Sequence, residues 1–122
     1  MTKINIYLDD ERVTPKGFVR TYTVEETIKM IEENEVDILS LDNDLGFIGQ
    51  PDKEGFQVIR WLEDRHNPNN PDHLPMSKCP PPEKIVPHTG NYERKMDMYR
   101  GIRNLQRWKW AEEDKEANDN QE

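Results

Sequence analysis

Several things are scarce in this 122-residue chain, and each scarcity excludes something. A single cysteine, Cys79, leaves no partner for an intrachain disulfide, so the expected setting is a reducing, cytoplasmic one. No N-terminal apolar run resembles a signal peptide, and no stretch is long and apolar enough to read as a membrane span, so lipid contact is not expected. Positive charge is also in short supply: 17 Lys and Arg against 25 Asp and Glu give a formal charge of -8. Such a field repels a phosphate backbone at long range, which argues against extended duplex DNA as a partner. Hydrophobic residues make up only 33% of the chain, yet 122 residues suffice for one domain with a modest core. Part of the excess polarity is local. Residues 111–122 hold six acids and one lysine and almost no apolar side chains, and they read as an acidic, disordered tail on a domain spanning 1–110.

What is present is an alternation of strand and helix signals. Ile4-Asn5-Ile6-Tyr7-Leu8 reads as a buried strand, and Phe18 to Tyr22 as a second short one after a loop marked by Pro15 and Gly17. Thr23-Val24-Glu25-Glu26 has the form of a capping box, and the helix after it stacks Val24, Ile28 and Ile31 on one face, with Glu25 and Lys29 paired on the other. Val36 to Leu41 is a third strand. A second helix from about Gly55 to His66 turns Phe56, Ile59 and Leu62 inward. Residues 67–83 carry Pro68, Pro71, Pro75 and Pro80-Pro81-Pro82, which forbid regular structure and mark an insertion. Lys84 to Pro87 is a last strand; its proline, lacking an N–H, belongs at a sheet edge. A third helix starts at Asn91 as N-cap and is expected to end near Trp110, with Met98, Ile102, Leu105 and Trp108 as its apolar stripe. The order implies a small α/β sandwich with a mainly parallel sheet of about four strands and three helices.

The chemistry sits at the strand ends. Asp9 and Asp10 follow the first strand, Asp42 and Asp44 the third, and His88-Thr89 the last. In a parallel sheet all three loops fall at the carboxyl edge, where open α/β folds bind ligands. Neighbouring carboxylates repel one another, and a hard divalent cation resolves that repulsion, so Asp9, Asp10, Asp42 and Asp44 are the candidate ligands for Mg²⁺ or Mn²⁺. Three other motif readings fail. Asp42 to Gly46 opens like a calcium loop, but its glycine comes one place early and Lys53 stands where the closing acid belongs. The same Asp-x-Asp follows a strand in haloacid-dehalogenase phosphatases, but the chain is short for that fold. His66, His73 and Cys79 are irregularly spaced for a zinc site.

Tyr7-Leu8-Asp9-Asp10-Glu11-Arg12, Ser40-Leu41-Asp42-Asn43-Asp44-Leu45-Gly46 and His88-Thr89-Gly90-Asn91, with Arg94 and Met96 after them, resemble the cyclic-phosphate-processing receiver-like domains, relatives of response-regulator receivers. The resemblance spans about residues 3–107. It implies a flavodoxin-like fold and a metal-assisted role on cyclic phosphate termini of RNA or nucleotides. By position Asp9 and Asp10 match the metal-holding pair of receivers and Asp42 their strand-end aspartate; the mechanism expected on that basis gives the metal to Asp9, Asp10 and Asp42, with Asp44 as ligand to a bound water or as orienter. His88 is then the general acid or base, Thr89 a phosphoryl contact and Arg94 a screen for phosphate charge. The sequence departs from the family at Asn43, Gly90 and Tyr92. It has no Lys-Pro dipeptide and no evident fifth strand, which weakens the reading of Asp42 as the phosphoacceptor of a response regulator. The competing class is a catalytically silent binding or inhibitor protein that meets a protein partner through the same acidic face.

Overall fold

The computed structural model describes residues 2–119. In chain order it holds β1 (Ile4–Leu8), β2 (Phe18–Thr21), α1 (Val24–Glu33), β3 (Val36–Leu41), α2 (Phe56–His66), β4 (Lys84–Pro87) and α3 (Tyr92–Asp119), with one turn of 3-10 helix at Pro51–Lys53. The four strands form one sheet in the order β2-β1-β3-β4, and every pair is parallel. This is the receiver-like α/β fold read from the sequence. Strands β1 and β3 lie side by side at the centre, so the loops carrying the two acidic pairs emerge together. β4 is an edge strand, as Pro87 requires.

Packing of the helices against the sheet explains why β1 and β3 are buried. Ile6, Leu8, Leu39 and Leu41 are inaccessible and pack with Val58, Ile59 and Leu62 of α2 and Met98 of α3. Polar Asn5 sits within β1 because the ladder to β3 shifts register between Ile4 and Ile6; its Oδ1 accepts from the Ile38 N–H at 3.1 Å and repairs the gap. Helix α1 starts on the expected cap: Thr23 Oγ1 accepts from the Glu26 N–H at 3.1 Å. Glu25, however, pairs with Lys53 at 3.6 Å rather than with Lys29. Between β1 and β2 the chain makes no helix, only the loop 9–17.

The acidic C-terminal stretch is a correction. Its composition predicts disorder from residue 111 and a helix end near Trp110, but α3 continues through Asp119; residues 120–122 lie outside the described residues. Ala, Glu and Lys favour helix, and extending a helix already nucleated by packing at Met98 and Leu105 needs no new nucleus. The extension also has a contact. Glu112 accepts from the N–H groups of Met76 (2.9 Å) and Ser77 (3.1 Å) and from the Ser77 hydroxyl (3.0 Å), so it fastens the Pro-rich strap, residues 67–83, onto α3. The other end of the strap is tied to α2, where Leu74 N–H donates to the Arg65 carbonyl and Asn70 Nδ2 to the Asp64 carbonyl.

Candidate metal and phosphate site

At the carboxyl edge of the sheet, Asp9, Asp42 and His88 each offer a ligand atom within 4.8 Å of the others, the one such group among the described residues. Asp9 closes β1 and is wholly buried, Asp42 closes β3, and His88 follows β4. Parallel pairing forces this convergence. The Asp42 N–H donates to the Leu8 carbonyl and the His88 N–H to the Leu41 carbonyl, so the ladder extends one step past the strands and delivers all three residues to one place.

Asp9 is the most fully engaged. Its Oδ1 accepts from the backbone N–H groups of Glu11 (2.8 Å) and Arg12 (3.0 Å), and its Oδ2 faces Arg12 Nη1 (3.3 Å) and His88 Nε2 (2.9 Å). Burial acts to raise its pKa, but these donors and the nearby imidazole outweigh it, so the carboxyl is held below the ordinary range and is ionised at neutral pH. Asp42 goes the other way. Burial raises its pKa and the Asp9 charge adds to the rise, against the Asn43 N–H and the Thr89 hydroxyl. Burial and hydrogen bonding thus move two adjacent carboxylates in opposite directions.

His88 lies flat against Tyr7, ring centroids 4.4 Å apart and planes within 3°. Its Nδ1 meets Ser40 Oγ at 2.7 Å, and its carbonyl accepts from Arg12 Nη1 at 2.8 Å. Burial lowers its pKa, partly offset by Asp9 and Asp42, which favours the neutral ring. Thr89 is buried beside Asp42, and its Oγ1 accepts the Asn91 N–H. Asn91 in turn caps α3 by accepting from the Arg94 N–H at 3.1 Å, as expected of an N-cap.

The remaining candidates are placed elsewhere. Asp10 lies outside the trio; its Oδ2 is 3.2 Å from where a Cβ on Gly46 would stand, which directs it toward the loop after β3. Asp44 is exposed and accepts from Asn43 Nδ2. Arg94 is occupied: Nε and Nη2 grip Glu54 at 3.2 and 3.1 Å, and Nη1 reaches Asp97 at 3.1 Å. It lines a cleft of about 450 Å³ with Asp44, Phe47 and Lys53. His66, His73 and Cys79 form no cluster: His66 Nδ1 faces the Leu74 carbonyl, His73 Nδ1 faces the Asn70 carbonyl, and Arg65 donates to Cys79 Sγ.

Four supporting residues escaped the sequence reading. Asn43, at the position marked as a departure, is wholly buried and joins the loop after β3 to α2: its Oδ1 accepts from the Phe56 N–H and its Nδ2 donates to Glu54. Arg12, Ser40 and Tyr7 hold Asp9 and His88. A signal existed for Ser40: a hydroxyl in β3 among Ile38, Leu39 and Leu41, two positions before Asp42 and so on the same face. Gly55 is required by close approach, because a Cβ there would lie 1.8 Å from the Asp42 carbonyl oxygen.

An all-parallel sheet with buried carboxylates and a histidine at its carboxyl edge defines a receiver-like domain. The sequence model of the family described as Cyclic-phosphate processing Receiver domain matches residues 4–104, and the chain belongs to that family. Searches of curated proteins and of solved structures found no match. Among the described residues no helix is long and apolar enough to cross a membrane.

Proposed function

We propose that the protein is a metal-dependent phosphoesterase acting on cyclic phosphate ends of RNA or of nucleotides. The observation that supports this most directly is the convergence of Asp9, Asp42 and His88, three groups from three loops within 4.8 Å. Two carboxylates suit Mg²⁺ or Mn²⁺, hard cations that prefer oxygen. Asp9 and Asp42 would hold the ion, which when bound neutralises phosphate charge and acts as a Lewis acid.

The other groups supply binding and proton transfer. The N-terminus of α3, with Thr89 and Asn91 before it, offers hydrogen-bond donors to phosphate oxygens. The Arg12 guanidinium, held by Asp9 and the His88 carbonyl, adds positive charge at the same edge. In hydrolysis of a 2′,3′-cyclic phosphate, water adds its oxygen to phosphorus as one ribose P–O bond breaks. His88 gives the Nε2 proton to the departing ribose oxygen and regains one from the water, so no net proton is left on the protein. Arg94 serves the neighbouring cleft wall, since Glu54 and Asp97 already neutralise it.

The test is turnover of 2′,3′-cyclic nucleotides and of cyclic-ended oligoribonucleotides with Mg²⁺ or Mn²⁺. Asp42→Asn is expected to abolish calorimetric Mn²⁺ binding and to lower kcat/KM by at least about 10²-fold, with His88→Ala losing a similar factor. Folded variants with parental activity would overturn the reading.

The second reading, a non-catalytic binding protein, draws on a specific feature: both His88 nitrogens are already engaged within the protein. It predicts metal binding without turnover, and it is the reading that survives if the parent binds Mn²⁺ but leaves every cyclic phosphate intact.

A further inference from the structure

The two faces of the sheet are built differently. Ile6, Leu8, Leu39 and Leu41 point to one, where they join residues of all three helices in a single buried cluster. Side chains alternate along a strand, and the register places Tyr7 of β1, Phe18 and Arg20 of β2, Ser40 of β3, and Lys84 and Val86 of β4 on the other face. Among the described residues, none of these six belongs to the buried cluster or packs against it. In a chain of formal charge -8, the register-paired residues of this face include no acid and two cations, Arg20 and Lys84.

Aromatic rings gather on the same face along β2. Phe18, Arg20 and Tyr22 take alternate positions, about 7 Å apart by strand geometry, in a row that climbs to the carboxyl edge. The Arg20 guanidinium lies over the Tyr22 ring at 5.1 Å and over the Tyr7 ring at 5.7 Å, and the Tyr7 and Phe18 rings meet edge to face at 6.1 Å. At the top of the row the face runs into the site: His88 stacks on Tyr7, and Arg20 Nη1 donates to the Asp9 carbonyl at 2.9 Å. Tyr7 is covered by these neighbours, but Phe18 is only half-buried and Tyr22 is 53% exposed.

We propose that this face is a stacking platform for single-stranded RNA: bases lie on Tyr22 and Phe18, Arg20 and Lys84 attract the strand, and its cyclic end enters the site. The cleavage of that end rests on the phosphoesterase reading; the platform needs only the strand. The substrate is thereby narrowed from a free cyclic nucleotide to the end of a chain.

The chemistry of the face favours this occupant. Every base has a π-face, so aromatic rings and a guanidinium plane hold successive bases whatever their sequence. A four-stranded sheet displaying aromatic side chains is a recurrent way to bind unpaired RNA, whereas a duplex keeps its bases stacked inside. A second copy of this chain fits less well, because Arg20 and Lys84, with no acid paired among them, would meet their own like charges in a self-complementary contact.

The test is fluorescence anisotropy of the metal-free full chain with a labelled single strand of about eight ribonucleotides ending in a 2′,3′-cyclic phosphate. The strand is expected to bind at least about 10-fold more tightly than a cyclic mononucleotide, and Tyr22→Ala to remove about 10-fold. Lys84→Gln is expected to reduce the slope of log affinity against log salt by about 0.7. Both variants should turn over cyclic mononucleotides within about twofold of the parent. If Tyr22→Ala does not fold, Lys84→Glu, at an exposed edge position, takes its place and is expected to weaken strand binding about 10-fold. Parental strand affinity in the folded variants, or equal affinity for a duplex of the same sequence, overturns the proposal. So does a parent chain that binds no strand and sediments as a dimer that Tyr22→Ala dissociates, which would make the face a contact between copies. A chain that cleaves cyclic mononucleotides but binds no strand overturns the platform alone; one that binds the strand through Tyr22 but cleaves nothing counts against the phosphoesterase reading alone.

Discussion

Two histidines, His66 buried and His88 half-buried, show how the same side chain is used differently. His88, at the carboxyl edge of the sheet, has a partner on each nitrogen, an aromatic ring on its face and two carboxylates within reach. His66, at the C-terminus of α2 under the Pro-rich strap, is 3% exposed; its Nδ1 meets the Leu74 carbonyl, and its Nε2 has no partner. For both, burial lowers the pKa, but at His88 the neighbouring carboxylates oppose that shift, whereas at His66 only the Leu74 carbonyl and the more distant Glu112 do so. The first environment keeps a proton available beside charge. The second tolerates a neutral ring as packing. Burial alone therefore does not separate the two histidines; the charge and the hydrogen-bond partners around each ring do.

The comparison can be broken from either end. The largest effect is expected on the site side at Gly55, where α2 begins against the Asp42 carbonyl. A methyl group 1.8 Å from that oxygen cannot be accommodated without moving backbone, so Gly55→Ala is expected to cost about 3 kcal/mol and to weaken Mn²⁺ binding as well. Urea unfolding and calorimetry check it, and a variant of parental stability would show that α2 does not set the position of Asp42.

At the strap, Glu112→Ala removes the acceptor for three donors, and about 1–2 kcal/mol of stability should go with it. Hydrogen exchange should rise at Met76 and Ser77 while the Asp9 and His88 amides keep their protection. Equal loosening at both ends would mean that the strap and the site are one cooperative unit.

The pH dependence separates His66 from Asp9. For a base whose folded pKa lies below its unfolded value near 6.5, the unfolded chain takes up the proton first, so stability falls as pH drops below about 6.5 and levels off below the folded pKa. His66→Gln is expected to flatten part of this decline between about pH 7 and 5.5. An unchanged slope would place the decline elsewhere. Asp9 behaves oppositely: its lowered pKa gives stability that is present above about pH 4 and lost as pH falls further. The smallest effect is expected at Arg94. Its bonds to Glu54 and Asp97 are partly exposed, so Arg94→Ala should cost less than about 1 kcal/mol and leave Mn²⁺ affinity at the site unchanged.

Much of the fold was legible because its signals are local. The Thr23 cap, the spacing of Ile59 and Leu62, the Asn91 cap and the edge proline Pro87 each report on a few neighbouring residues, and the corresponding elements lie within one or two positions of where those signals put them. The end of α3 was not legible. The composition of residues 111–119 is as suited to a solvated coil as to a helix, and the contact that favours helix, Glu112 with the strap, joins residues 35 and 36 positions apart.

The site divides along the same line. By itself the sequence determined that acids would close β1 and β3, that a His-Thr pair would follow β4, and that a parallel sheet would bring these loops to one edge. Which member of each pair turns inward was decided only by the tertiary structure. Asp9 and Asp42 belong to the site trio, whereas Asp10 and Asp44 do not: Asp10, next to Asp9 on an extended chain, faces the other way, and Asp44 lies in the loop beyond β3, where strand alternation no longer applies. Tertiary packing also put Ser40, 48 residues away in sequence, against His88 and closed Glu54 around Arg94. Residue types fix what chemistry is possible; the long-range contacts fix which atoms are near enough to take part.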